Sequence, residues 1–228
     1  MKKFSKRLQY LREIVGAKSY SLDNALSLLK KIATSKFDES VEAHISLNIN
    51  PKYSNQQIKA SVFLPHGSGK LPRIAVLTAA GLAAEAVQLG ASIAGADDLL
   101  EEISKKRIRF DVLLTSASQM PKLTRFGRVL GPKGLMPSLA SGTITETLKQ
   151  SLDEFKKGKV NYRADKAGIV HLRVGKSSFL ASQLKENLVS LYASIEKNKP
   201  TGLKGKYVKS FYICTTMSPS LKIDLPKY

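Results

Sequence analysis

The run Arg128 to Pro137 (RVLGPKGLMP) is the stretch of this sequence most like a phosphate-cradling loop. Such loops bring backbone amides and one lysine onto phosphate oxygens, and they end in GKS or GKT. This run ends otherwise, and no GxGxxG stands near Gly81 or Gly90, so the nucleotide signal is weak. The paired acids Asp97-Asp98 and Glu101-Glu102 have the residue type for acid–base work. They also suit the first turns of a helix, where carboxylates meet the positive end of the macrodipole, and that reading accounts for them. Ser, His and Asp occur without a nucleophile elbow. The one cysteine, Cys214, cannot close an intrachain disulfide, which fits a reducing compartment. His44, His66 and His171 lie far apart and make no zinc-ligand spacing with it, although distant residues can meet in space. These patterns lead to no expected catalytic residue, metal site or cofactor.

Binding is better represented. Three segments mix basic, small hydroxyl and apolar residues: Ser35-Lys36-Phe37-Asp38-Glu39-Ser40, Asp165-Lys166-Ala167-Gly168 with His171 beyond it, and Thr215-Thr216-Met217-Ser218-Pro219-Ser220. Lysine meets phosphate, hydroxyls bond phosphate or ribose, and Phe or Met packs on sugar or base. Each segment also has a plain structural reading. Phe37 suits a core position under a turn, Asp165 to Gly168 suits a hairpin turn, and Met217 suits core filler. Lys2, Lys3, Lys6 and Arg7 suit a solvated tail.

The charge supports a polyanionic partner. Across 228 residues, 37 Lys plus Arg face 18 Asp plus Glu, a formal net charge of +19. Nucleic acid is the first candidate and an anionic membrane the second. The amino end lacks the apolar core of a signal peptide. The stretch Ile74 to Ala96 carries one charge, Glu85, but is built of Ala and Gly rather than the Leu, Ile and Phe of a spanning helix. A 43% hydrophobic share is enough for packed cores. The charge is uneven: residues 1–66 carry net +6, 67–157 net +4 and 158–228 net +9. The polyanion is therefore expected on the outer pieces.

The elements that must hold these residues follow from periodicity. Ser21 is placed to cap a helix with Leu22, Ala25, Leu26, Leu29 and Ile32 on one face. Val41, Ala43, Ile45, Leu47 and Ile49 alternate with polar residues, as in a half-buried strand, and Ile58 to Leu64 reads as its partner. Val160 to Arg163 and Ile169 to Val174 read as a hairpin, followed by a helix through Leu184, Leu188, Leu191 and Ile195 that Pro200 stops. Tyr207 to Thr215 is a last long strand. In the middle, strands at 73–78, 91–94 and 110–115 alternate with helices at 83–89 and 97–106. Thr143 and Glu146 suggest a capping box for a further helix through Leu148, Leu152 and Phe155. This order implies a parallel sheet. Glycine-bearing joints at Gly67-Ser68-Gly69 and Lys157-Gly158-Lys159 suggest one domain inserted into another, with bounds of 1–67 plus 159–228 and 68–158. The expected class is mixed α/β, with α+β outer pieces and an inserted Rossmann-like middle. Glycine joints also permit hinge motion. Taken alone, these residues describe a basic binding protein of unspecified ligand.

The stretches SKFDESVE (35–42), NPKYSNQQIKASVFLPHGSGK (50–70), FDVLLTS (110–116), GRVLGPKGLMP (127–137), GKVNYRADKAGIVH (158–171), KGKYVKS (204–210) and TTMSPSLKID (215–224) occur together in order. In them the sequence resembles the ribosomal protein L-one family of the mobile large-subunit stalk. The resemblance implies an RNA-binding α/β domain formed by both termini and an inserted three-layer α/β domain. It implies binding to the stalk base of large-subunit rRNA, help for deacylated tRNA leaving the exit site and, in bacterial members, repression of the protein's own mRNA. No enzyme activity is implied.

Residue by residue, the resemblance carries rRNA contacts to Lys36, Phe37 and Ser40, to Asp165, Lys166 and Gly168 with His171 of the same stretch, and to Thr215, Thr216 and Met217. One departure stands out: Ser218 replaces the glycine of the family's Thr-Met-Gly-Pro. If that glycine serves positive φ or close approach to RNA, Ser218 must serve with a side chain present. Ser218→Gly is then expected to tighten RNA binding. VEAHISLNINPKYSNQQ resembles cyanobacterial and plastid members most. With no transit peptide ahead of the family-like start, the expected location is the plastid, the alternative being a bacterial cytoplasm.

Overall fold

The computed structural model describes residues 5–78, 80–201, 203 and 205–224; Lys2, Lys3 and Lys204 lie outside them. In chain order the elements are α1 (Lys6–Val15), β1 (Ser19–Tyr20), α2 (Leu22–Ile32), β2 (Ser40–Leu47), β3 (Lys59–Phe63), β4 (Ile74–Leu77), α3 (Ala80–Gln88), β5 (Ile93–Gly95), α4 (Asp97–Ser104), β6 (Val112–Thr115), α5 (Met120–Thr124), α6 (Gly127–Leu130), α7 (Leu148–Lys157), β7 (Lys159–Arg163), β8 (Ile169–Lys176), α8 (Ala181–Lys197), β9 (Val208–Thr215) and β10 (Leu221–Ile223). They form two compact units, Met1–Gly69 with Val160–Tyr228, and Lys70–Lys159.

The first unit is built on a five-stranded sheet in the order β1-β10-β9-β2-β8. Strand β2 runs antiparallel to both of its neighbours. Period-two alternation buries Val41, Ala43, Ile45 and Leu47 completely and leaves Ser40, Glu42, His44 and Ser46 on the opposite face. The buried set joins Leu26, Leu29 and Ile32 of α2 and Leu184, Leu188, Leu191 and Ile195 of α8 in one core. Burying each such Leu or Ile contributes about 1.5–3 kcal/mol.

The second unit has a parallel sheet in the order β5-β4-β6. All of β4 is buried because alternate residues enter different cores. Ala75, Leu77 and Leu113 pack on Leu99, Ile103, Leu123 and Leu130 of α4, α5 and α6. Ile74, Val76 and Leu114 pack on Ala86 of α3 and Leu152 and Phe155 of α7. A parallel sheet covered on both faces makes three layers. Asp97 and Asp98 fill the first turn of α4; Asp97 meets Lys122 at 3.4 Å and Glu101 meets Lys105 at 3.3 Å, which leaves them as helix-surface acids. Among the described residues, no helix is long and apolar enough to cross a membrane.

Several local expectations are corrected. The strand at 58–64 does not pair with β2: β3 pairs with β7 in a separate two-stranded sheet, and β2 takes β8 and β9. The expected hairpin is reduced to one bridge, Ala164 with Val170, because β7 and β8 leave the turn for different sheets. Ser21 stands at the start of α2 without a side-chain capping bond. Thr143 is buried and bonds Ser138 and Ser141, while α7 begins after Thr147, so there is no capping box at 143–146. Lys6 and Arg7 open α1 rather than a tail, and Arg7 Nε donates to Thr34 Oγ1 at 3.0 Å. The short strands β1 and β10, too brief to show a period, pair with each other.

Candidate nucleic-acid interface

The Ser35–Ser40 loop feeds β2 and the Thr215–Ser218 loop leaves β9, and the register sets them side by side, with Val41 opposite Thr215. The clasp between them is Glu39, which is 1% exposed. Its Oε1 accepts the Ser35 amide at 3.3 Å, and its Oε2 accepts the Met217 amide at 2.9 Å. Burial acts to raise its pKa. The Thr215 and Ser35 hydroxyls nearby and the donating Met217 and Ser35 amides outweigh it and hold the carboxyl below its ordinary value. A second tie joins Ser40 N–H to Thr216 Oγ1 at 3.1 Å. Asp38 braces the outer side by accepting from Ser177 Oγ at 2.9 Å, Ser178 Oγ at 3.0 Å and Ser178 N at 3.1 Å, with Lys176 Nζ at 3.3 Å.

This bracing presents two large apolar side chains to solvent. Phe37 is 54% exposed and Met217 is 50% exposed, so neither is core filler. Lys36 and Thr216 are exposed beside them, and Ser40 is half-buried. Thr215 is 1% exposed and its Oγ1 is buried without a hydrogen-bond partner, so its side chain does not stand on the surface. Ser218 Oγ accepts the Thr215 amide at 2.9 Å and donates to the Pro219 carbonyl at 3.2 Å. Among the described non-glycine residues only Lys106 has positive φ, so position 218 does not use the conformation for which glycine is needed.

The third expected segment is not brought to the same end. Ser40 pairs with Lys176, whereas Ser46 pairs with Ile169. Six residues of strand, about 20 Å, separate the Glu39 clasp from the Asp165–Gly168 turn. There, Asp165 Oδ1 accepts the Ala167 amide at 2.9 Å and the Ile169 amide at 2.7 Å, and these bonds hold its carboxyl below its ordinary value. Gly168 is required at φ +78°, where an added Cβ would stand 3.3 Å from the Leu47 carbonyl oxygen. Asp165 and Lys166 are exposed and Gly168 is buried. His171 lies between the two ends on the polar face of the sheet, directly opposite His44.

Four residues of consequence carry little or no signal in the sequence. Glu39 is visible there only as a member of its segment. Glu42 and His44 are neighbours on β2, Cys214 lies 170 positions beyond His44, and the sheet brings the three together. His44 Nε2 lies 3.2 Å from Cys214 Sγ, and His44 Nδ1 lies 2.7 Å from His171 Nδ1. Desolvation and His171 lower the His44 pKa against an opposing pull from Glu42. Burial, with Glu42 adding to it, pushes the Cys214 thiol up to about 11. The alternation of β2 puts Glu42 and His44 on one face; only strand register adds Cys214 and His171.

A model of the Ribosomal protein L1p/L10e family matches residues 29–219. The chain is 54% identical over 226 residues to the large ribosomal subunit protein uL1c of Trieres chinensis, covering 99% of this chain and 98% of that one. It is 49% identical over 225 residues to the uL1 protein of Prochlorococcus marinus strain MIT 9215, covering 99% and 96%. It is likewise 49% identical over 225 residues to the uL1c protein of Porphyra purpurea, covering 99% and 98%.

Proposed function

This chain belongs to the Ribosomal protein L1p/L10e family, and from that premise we propose that it binds the stalk base of large-subunit rRNA through its terminal unit and assists release of deacylated tRNA from the exit site. It is a non-enzymatic structural component of the large ribosomal subunit, placed in the plastid by its algal uL1c relatives, with a bacterial cytoplasm as the setting of its cyanobacterial ones.

The observation that carries the proposal is the Glu39 clasp. A buried carboxylate fastens two loops 178 positions apart while Phe37 and Met217 between them stay in water. Exposing two large apolar side chains on braced loops is unfavourable in the free protein and useful when ribose or bases cover them. Lys36 beside Phe37, and Lys166 on the far turn, supply phosphate contacts at both ends of the sheet. The net charges of +6 and +9 on residues 1–66 and 158–228 favour the same unit. The discriminating experiment is filter binding of a stalk-base rRNA fragment and an unrelated RNA of equal length. The reading requires a preference for the former that Phe37→Ala removes without lowering thermal stability. Equal affinity for both RNAs would reduce the protein to a generic polyanion binder.

A further inference from the structure

We propose that Glu42, His44 and Cys214 form a site for one zinc ion on the polar face of the five-stranded sheet, with His171 and Asp165 orienting the histidine ligand.

The convergence follows from pleat and register. Glu42 and His44 stand two apart on β2 and so share a face. Cys214 of β9 is the register partner of Glu42, and His171 of β8 is the register partner of His44. His44 Nε2 lies 3.2 Å from Cys214 Sγ and 3.9 Å from Glu42 Oε2, and the three donor atoms all lie within 4.8 Å of one another. In a tetrahedral zinc site, with Zn–S about 2.3 Å and Zn–N or Zn–O about 2.0–2.2 Å, donors stand roughly 3.3–3.7 Å apart. The His44 distances bracket that range, and rotation of Glu42, 46% exposed at its side chain, closes the remaining edge. One thiolate, one imidazole and one carboxylate suit zinc and disfavour magnesium and calcium, which take all-oxygen shells.

The hydrogen bond to His171 and the carboxylate beyond it select the tautomer that a metal requires. His171 Nε2 faces Asp165 Oδ2 at 3.5 Å, and an ionised carboxylate only accepts, so His171 carries its proton on Nε2. Its Nδ1 is then an acceptor for His44 Nδ1–H at 2.7 Å. His44 Nε2 is left as a bare lone pair aimed at Cys214 and Glu42, the same kind of backing that orients zinc-binding histidines. On binding, the Cys214 S–H bond breaks, a Zn–S bond forms, the proton leaves to solvent, and water fills the fourth position; no electron is transferred. The ion clamps β2 to β9 and, through His44 and His171, steadies the Asp165 turn.

The test is titration of the full, reduced, chelator-treated chain with cobalt(II) and then zinc(II). The expected result is one cobalt per chain with a thiolate-to-cobalt charge-transfer band that equimolar zinc bleaches. Cys214→Ser abolishes the band, Glu42→Gln weakens binding, and His171→Gln weakens it about 10–100-fold. His66→Gln, at an unconnected histidine, changes nothing, and circular dichroism confirms the fold of each variant. Absence of the band at stoichiometric cobalt, or undiminished zinc uptake by folded Cys214→Ser, overturns the proposal.

Discussion

Met217 donates its backbone amide to the buried carboxylate of Glu39 at 2.9 Å, across 178 positions of sequence. That bond ties the entry to β2 to the exit from β9, and the two exposed apolar residues of the interface hang from it.

Glu39→Gln leaves a shape of similar size but removes the charge that strengthens the bonds to Ser35 and Met217. Disrupting a buried charge-assisted network costs about 1–3 kcal/mol, and a drop of that size is expected in chemical denaturation at pH 7. The pH dependence follows the same group. The folded pKa of Glu39 lies below its ordinary 4.5. Its contribution is therefore complete above that value and lost as pH falls through the folded one. Between pH 7 and 3 the native protein should lose more stability than Glu39→Gln, with the difference opening below about pH 4.5.

Phe37→Ala and Met217→Ala separate binding from folding. Both side chains are about half exposed, so stability should change by less than about 0.5 kcal/mol. If each covers a base or sugar, affinity for the stalk-base fragment falls by about 1–3 kcal/mol, readable by filter binding.

Ser218→Gly is expected to act opposite to the sequence-based expectation. No left-handed backbone at 218 awaits relief, and the hydroxyl that accepts the Thr215 amide is lost. Removing that bond should lower stability by about 0.5–1.5 kcal/mol and loosen the loop bearing Met217. RNA binding then weakens rather than tightens, and a parallel melt and filter-binding comparison would register both effects.

Cys214 should be a slow thiol in the zinc-free folded chain. Its pKa is pushed to about 11 from an ordinary 9.0, chiefly by burial and then by Glu42. Thiolate is the reactive form, so alkylation at pH 8 should run roughly 100-fold slower than in denaturant. Equal rates in the two conditions would mean that the thiol is open to water.

Much of the fold is legible in local pattern. The alternation from Val41 to Leu47 marks the buried face of β2, and the apolar runs at 74–77 and 112–115 mark a sheet covered on both sides. Partners are less legible, because period two says which face a residue takes and not which strand lies beside it. That is why periodicity sets Ile58 to Leu64 beside β2 when β7 takes it. Caps are legible only in part: Ser21 does stand at the N-cap of α2, though without a side-chain bond, whereas Thr143 bonds Ser138 and Ser141 and α7 begins after Thr147. At the site, the segments carrying Phe37 and Met217 are evident, but not their exposure or their shared fastening to Glu39. The His44, His171 and Cys214 cluster needs strand register, which spans more than 170 positions between Glu42 and Cys214.

The most direct test of the RNA-binding account is a salt titration of stalk-base rRNA binding by the full chain and two double variants. One is Lys36→Ala with Lys166→Ala in the terminal unit; the other is Lys122→Ala with Lys133→Ala in the inserted unit. A steep fall of log affinity with log salt is expected. The slope shrinks by about 0.7–0.9 for each phosphate that the first variant no longer neutralises, and it is unchanged in the second. The reverse pattern would place the RNA on the inserted unit and contradict the account.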